Sequence, residues 1–342
     1  MKILYGVQAT GNGHITRARA LLPALLQQGI EVDFLFSGRP KAQLFDMEMF
    51  GNYRWANGFT FATARGKVQR VATIKQLKPF AFWRDVNQLN LLSYDLVLTD
   101  FEPVTAWAAK QQGILSVGLA RQYALKYPLA GKHSAFWLKT AVEHFAPANH
   151  TLGVHWQPSF SDLLPPLLPF ATEPADSKKR RSPSPFILVY LPFEQTSLVT
   201  AWLKQCPSRH FKLYANVSEL HAEDNVSILP FSRNAFPVDL QQCSGVICNS
   251  GFGLCSEALI AGKKLLIKPL TGQIEQSYNT YCLVNMGKAV QFNQFTPELL
   301  VNWLQLPAPN PYLLPDPAPA IAKWLKQGCE TSVTELAASI WQ

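Results

Sequence analysis

The sequence is short of charge. Asp, Glu, Lys and Arg make up 16% of its 342 residues, against 48% hydrophobic ones. That balance excludes a disordered chain and calls for large buried cores. No run of about 18 apolar residues occurs, so no transmembrane helix is expected. The apolar start, Ile3–Val7, is shorter than the ~7–15-residue core of a signal peptide, so no leader is expected either. Cysteine is missing from the first half. All six (Cys206, Cys243, Cys248, Cys255, Cys282 and Cys329) come later, and none forms a C-x-x-C pair. This argues against zinc and reads as reduced, mostly buried thiols of a cytoplasmic protein. Acid is also in deficit: 23 Asp and Glu against 31 Lys and Arg give a net charge of +8. A basic balance admits nucleic acid, a phosphorylated metabolite or an acidic membrane surface as partner, without choosing among them.

What is present is a repeated α/β pattern. At roughly 150 residues per domain the length suggests about two domains. Lys2–Val7 reads as a strand, Gln8–His14 as a glycine-rich loop, Ile15–Gln28 as a helix stopped by Gly29 and kinked at Pro23, and Glu31–Phe36 as a second strand. The strand Tyr94–Asp100, the helix Thr105–Gln112 closed by Gly113, and the strand Ile114–Leu119 repeat the unit. Phe59–Thr63 and Lys67–Val71 read as a hairpin. Prolines crowd residues 164–185, which also carry the basic run Lys178–Arg181. This reads as a solvated linker. Beyond it the short strands Phe186–Leu191, Phe211–Tyr214, Val226–Leu229, Gly245–Cys248 and Lys264–Lys268 restart the alternation, with helices at Gly251–Ala261 and Gln273–Met286. The expected division is 1–164, a linker 165–185, 186–315, and a helical pair 316–342 free to pack back on the first domain. Apolar strands alternating with helices imply parallel sheets covered on both faces.

The chemistry-bearing segment is Asn249-Ser250-Gly251-Phe252-Gly253-Leu254-Cys255-Ser256-Glu257. It follows a strand and opens a helix. Its glycines admit a ligand to the backbone, and helix-start amides favour a phosphate. Glu257, about two turns in, can accept two hydrogen bonds from a diol such as a ribose. The plain alternative is a strand–helix turn with a surface Glu. Next comes Pro269-Leu270-Thr271-Gly272-Gln273-Ile274-Glu275-Gln276. After a neighbouring strand of an open sheet it would line the same crevice, with Glu275 and Gln276 suited to sugar hydroxyls. An ordinary polar helix start is the alternative.

N-S-G-F-G-L-C-S-E-A-L followed by G-K-K-L-L-I-K-P-L-T-G-Q-I-E-Q resembles the donor-binding region of GT-B glycosyltransferases. The nearest groups are family 28, which includes the peptidoglycan N-acetylglucosaminyltransferase and plant galactolipid synthases. T-G-N-G-H-I-x-R-A near the start and D-F-E-P in mid-domain are similar to an uncharacterised branch of it. The resemblance implies two Rossmann-like βα domains facing across a cleft, an amino-terminal one for the acceptor and a carboxyl-terminal one for the donor. It implies that Glu257 holds the nucleotide ribose and that Ser250, Gly251, Phe252 and Gly253 meet the diphosphate. It further implies that Glu275 and Gln276 contact the donor sugar, and that Phe231 and Ser232 bracket the base. One departure concerns phosphate charge compensation, because Asn249 stands where the peptidoglycan enzyme has arginine.

The amino-terminal loop Thr10-Gly11-Asn12-Gly13 leads into His14, which suits an acceptor and diphosphate site. Imidazole titrates near neutrality, so His14 is a candidate base for an acceptor hydroxyl, a diphosphate ligand, or a plain helix-start residue. Asp100 is either a base itself or the carboxylate that orients His14. Glu102 belongs to the same edge or simply starts a helix before Pro103. Gln122 is a weaker acceptor-site candidate. From Met49 to Arg84 there are seven basic residues (Arg54, Arg65, Lys67, Arg70, Lys75, Lys78, Arg84) and no acid, and six aromatics (Trp55, Phe59, Phe61, Phe80, Phe82, Trp83) lie between the first and last of them. That suits an anionic membrane or lipid-linked acceptor, or single-stranded nucleic acid, or else a solvated basic face; of these, nucleic acid is not expected.

The expected function is therefore an inverting, metal-independent transfer of a sugar from a nucleotide-diphosphate donor, UDP-linked by expectation, to an acceptor hydroxyl of a lipid-linked or cell-envelope glycan. No cofactor is expected, and the location is cytoplasmic or peripheral on the inner membrane face. The alternatives are a UDP-sugar epimerase on the same fold and a non-catalytic nucleotide-sugar-binding subunit. A nicotinamide dehydrogenase fits less well, because three residues separate Val7 from Gly11 and the second strand ends in Phe36-Ser37 without a ribose-binding acid.

Overall fold

The computed structural model describes residues 1–59, 63–64, 67–68, 79–127, 136–169 and 186–342. These divide into two compact units. The first runs to residue 169 and takes in Leu314–Gln342; the second holds 186–313 together with residues 63, 64, 67 and 68.

The first unit begins with β1 (Lys2–Gln8), in which Ile3, Leu4, Tyr5 and Val7 are fully buried. Helix α1 (Asn12–Gln27) starts three residues before the expected Ile15. Gly11 is extended (φ −128°, ψ 158°) and serves as the N-cap without a side-chain hydrogen bond. Asn12, Gly13 and His14 are therefore not loop but first turn, and their amide hydrogens have no side-chain cap. The helix runs on through Pro23. β2 (Glu31–Ser37), β3 (Arg54–Trp55), β6 (Leu96–Asp100), β7 (Ser116–Ala120), β8 (His150–Val154) and β9 (Leu163–Leu164) complete a parallel sheet in the order β3-β2-β1-β6-β7-β8-β9. β4 (Thr63–Ala64) and β5 (Lys67–Val68) form a separate antiparallel ladder. Residues 60–62, 65–66 and 69–71 of the expected hairpin lie outside the described residues.

Helices α2 (Pro79–Gln88), α3 (Pro103–Gln112) and α4 (Phe136–Phe145) flank this sheet. α3 crosses β1 at Gly6, where any Cβ would overlap the Thr105 side chain. It ends, as expected, at Gly113 in the left-handed region (φ 67°). The expected linker needs correcting at its start. Residues 165–168 are buried, Leu167 and Leu168 at 4% and 5% exposure, because the chain after β9 stays in the first core. Residues 170–185, with Lys178–Arg181, lie outside the described residues.

The second unit contains β10 (Phe186–Tyr190), α5 (Thr196–Lys204), β11 (His210–Ala215), β12 (His221–Glu223), β13 (Val226–Pro230), α6 (Ala235–Gln242), β14 (Gly245–Cys248), α7 (Phe252–Ile260), β15 (Lys264–Ile267), α8 (Ile274–Asn285), β16 (Ala289–Gln291) and α9 (Pro297–Gln305). Its sheet order is β12-β13-β11-β10-β14-β15-β16, parallel except where β12 runs against β13. Trp202, Trp303, Phe211 and Phe292 fill its core.

The last segment forms two helices, α10 (Ala318–Lys326) and α11 (Val333–Trp341), the second opened by a Ser332–Glu335 capping box. They belong to the first unit. Trp341 Nε1 donates to the Leu163 carbonyl at 2.6 Å, and Trp324 meets the His150 ring edge-on.

Candidate active site

In each unit the chain lays strands to one side of its first strand and then to the other. The order reverses between β1 and β6 in the first unit, and between β10 and β14 in the second. Ligands of open parallel sheets bind outside the carboxyl ends of strands at such reversals. Both candidate clusters stand there.

At the first reversal, His14 lies in the opening turn of α1 and Asp100 ends β6. His14 Nδ1 is 2.6 Å from Asp100 Oδ1. Asp100 is fully buried, whereas the His14 side chain keeps 12% exposure. Arg17, one turn along α1, donates from Nε to Asp100 Oδ2 at 2.7 Å and from Nη2 to Oδ1 at 2.8 Å. Burial alone would push the Asp100 carboxyl up, but the Arg17 and His14 charges beside it hold it below the usual carboxylate range. An ionised carboxylate only accepts, so Nδ1 carries a hydrogen, and in the neutral ring Nε2 keeps its lone pair. Gln122 Nε2 is 3.5 Å from that atom. This is the arrangement of a general base with its orienting acid.

For two residues on this edge the structure favours the second of the two alternatives left open. Asp100 is not placed as a base, because it is sealed from solvent with both oxygens engaged. Glu102 is not a ligand-facing acid. It is fully buried, and it caps α3 by accepting from the amides of Val104 and Thr105, from the Thr105 hydroxyl and from Ser37 Oγ. Between the two acids, Phe101 adopts a left-handed backbone (φ 53°), costly for a bulky residue. Its ring is held by stacking on Phe145 at 4.8 Å. Asn12 and Gly13 are exposed. Arg39 donates to Asn12 Oδ1 at 3.0 Å and to the Thr10 carbonyl at 3.4 Å. A Cβ at Gly11 or Gly13 would meet nothing within 4 Å, so the fold itself does not demand glycine there.

At the second reversal, α7 starts at Phe252 with Gly251 as an extended N-cap and no side-chain capping bond. A Cβ at Gly251 would also meet nothing within 4 Å. Glu257 is half-buried on α7. No hydrogen bond among the described residues reaches its carboxylate, and burial alone pushes it up to about 7. Asn249 Nδ2 donates to the Lys268 carbonyl, while its Oδ1 is buried and unpartnered among the described residues.

Two of the expected donor-site residues turn their side chains inward. Ser250 is fully buried and turns its hydroxyl inward to the Gln276 carbonyl at 2.9 Å, so it offers a ligand no side chain. Gln276 is buried with Oε1 on the Leu270 amide, which shapes the turn before α8. Phe252 is likewise buried beneath the helix start, while Gly253 is half-buried. Glu275 stays half-buried at the head of α8. Phe231 is 43% exposed with its ring against Tyr190, and Ser232 Oγ accepts from the Ala235 amide.

The sequence reading missed three polar residues. Arg17, the R of T-G-N-G-H-I-x-R-A, was given no role; it follows His14 at i+3, a spacing that puts both on one helix face. Lys268 Nζ and Glu194 Oε1 form a nearly buried ion pair at 2.7 Å, joining the ends of β15 and β10, 74 residues apart in sequence. Glu194 also lines a cavity of about 430 Å³ with Pro192, Thr196, Tyr214 and Asn216. All six cysteines are buried, and none is joined in a disulfide. Among the described residues no helix is long and apolar enough to cross a membrane.

Residues 1–307 match the protein family described as "Glycosyl transferase family 1". Curated proteins give no match. Solved structures that resemble the chain include UGT89C1 of Arabidopsis thaliana complexed with UDP (15% identity, 99% of both chains, TM-score 0.60). Glycosyltransferase VinC in complex with DTDP is similar at 17% identity (99% of this chain, 98% of that one, TM-score 0.58). MurG of Acinetobacter baumannii is similar at 16% (99% of both chains, TM-score 0.53). At these identities the likeness speaks to fold, and the fold is the two-sheet GT-B architecture.

Proposed function

The chain belongs to glycosyl transferase family 1, and from that premise we propose that it transfers a sugar from a nucleotide-diphosphate donor, preferentially UDP-linked, to an acceptor hydroxyl with inversion and without a metal or cofactor. The observation that carries this reading is the His14–Asp100 pair at the strand-order reversal. Nε2 of His14 takes the hydroxyl proton as the acceptor oxygen bonds to the anomeric carbon. The bond from that carbon to the diphosphate breaks, and the nucleotide leaves with its charge met by amides at the start of α7. One displacement of this kind inverts the anomeric centre. Glu257 supports the donor half of the reading, because a desolvated carboxylate with no hydrogen-bond partner among the described residues suits a ribose diol. Ser250, Gly251, Phe252 and Gly253 then serve through their backbone, and Phe231 and Ser232 flank the base.

The N-S-G-F-G and T-G-N-G-H motifs support a kinship with family 28 inside this fold. They favour a lipid-linked or cell-envelope acceptor and peripheral contact with the inner membrane face. On the described part of residues 49–84, Phe80, Trp83, Trp55 and Met49 are exposed.

A thermal-shift screen over UDP-, dTDP- and GDP-sugars tests the donor, with stabilisation expected from UDP-sugars. Turnover of the stabilising donor, followed by anomeric proton NMR, tests the rest. His14→Ala should lose roughly 10²–10⁴-fold in turnover with donor affinity kept; unchanged turnover removes its role as base. A C2 epimer from UDP-N-acetylglucosamine alone would make the protein an epimerase instead.

A further inference from the structure

Arg17 is 6% exposed and grips both oxygens of Asp100, while its Nη2 lies 3.2 Å from His14 Nδ1. A carboxylate sealed from water with only an imidazole for company is driven toward the neutral acid. A neutral acid can donate to Nδ1 as readily as accept from it. Two tautomers of His14 would then compete, and in one of them Nε2 carries the hydrogen and takes no proton.

We infer that Arg17 is a positioning residue: its guanidinium keeps the buried Asp100 a carboxylate that can only accept, which fixes the His14 hydrogen on Nδ1 and the lone pair on Nε2. The inference rests on the reading of His14 as the base. The planar guanidinium fork suits the task because it meets both carboxylate oxygens at once, which a lysine amine does not. The neighbouring groups leave this task to Arg17. Tyr5 faces the pair from β1, and its hydroxyl is raised well above its usual range by burial and then by Asp100. Tyr123, on the turn after β7, is raised by burial first and then by Asp100 and Glu102. Gln122 on the same turn is neutral, and the oxygens of Glu102 at the head of α3 are taken by Ser37 and Thr105. None of these is a cation.

The test is NMR on the full-length protein without substrate, labelled with ¹⁵N-histidine and ¹³C-aspartate. His14→Gln and Asp100→Asn spectra assign the two signals. In the wild type, His14 should show the Nδ1–H tautomer at alkaline pH, and Asp100 should stay a carboxylate down to the ordinary aspartate range. In Arg17→Gln the titration midpoint of the pair should rise by about one pH unit or more, and the tautomers should mix. Arg17→Lys should recover the charge effect and only part of the tautomer preference. Wild-type spectra from a folded Arg17→Gln protein would overturn the inference. If that variant does not fold, the wild-type Asp100 titration decides, and protonation above the ordinary range overturns it. Failure of the base reading looks different: His14→Ala would retain turnover while the Arg17 spectra behaved as described.

Discussion

Glu257 has the clearest consequence of any single side chain. With its carboxyl pushed up to about 7 by burial, roughly half the molecules carry it protonated at neutrality. If the ribose diol donates to it, binding favours the charged form, so donor affinity rises as pH rises through 7. Calorimetry with UDP-glucose should show about tenfold weaker binding at pH 6 than at pH 8, with proton release on binding between them. UDP-glucose is the right probe because its diphosphate lacks the terminal group that titrates near 6. Glu257→Gln should flatten the pH dependence; a slope that persists in the variant would assign it to another group. Residue type and spacing pointed to Glu257, His14 and Asp100, because those signals are local. They did not separate Asp100 as base from Asp100 as orienting acid. That choice depends on burial and on Arg17, and neither can be read from a strand ending in Asp.

Elements were legible where hydrophobic pattern and punctuation agreed. The apolar runs of β1, β6, β10 and β14 marked buried parallel strands, and Gly113 marked the end of α3. The start of α1 was misread because Gly11, Asn12 and Gly13 look like loop, yet only Gly11 needs to be extended. Glu102 stayed undecided for a similar reason: an acid before Pro103 fits a cap or a site equally well until Ser37, 65 residues away, is seen to donate to it at 2.6 Å. Its role as a cap makes a prediction about α3. Glu102→Ala leaves the Val104 and Thr105 amides buried without their acceptor. It should cost about 1–3 kcal/mol in urea unfolding and leave UDP-glucose affinity in the folded protein unchanged. A loss of donor affinity without a loss of stability would return Glu102 to the site. α2 makes another. It exposes Phe80 (91%) and Trp83 (40%) beside the exposed Arg84. If it meets anionic lipid, co-sedimentation with phosphatidylglycerol vesicles should be strong at low salt, fall with added salt, and drop in Phe80→Ser/Trp83→Ser. No binding at low salt would retire the membrane contact.

For the whole molecule, the proposed function puts a different chemistry on each of two cores. The repeat of βα alternation after the proline-rich stretch was enough to foresee two halves of one parallel α/β architecture. Strand order was not foreseeable, because it depends on which side each crossover takes, and strand order puts His14 beside Asp100 and Gly251 beside the end of β10. The same division separates the two remaining roles of His14. As a base it belongs to the acceptor and has no business with UDP alone; as a diphosphate ligand it would be engaged by UDP as fully as the second unit is. Hydrogen exchange read by mass spectrometry distinguishes them. Added UDP should slow exchange in peptides covering Phe231–Ser232 and Ser250–Glu257, the segments assigned to base, diphosphate and ribose. Peptides covering Asn12–Arg17 should exchange as they do without ligand. Equal protection of that first turn of α1 would make His14 a phosphate contact, and the base would have to be sought elsewhere on the first unit.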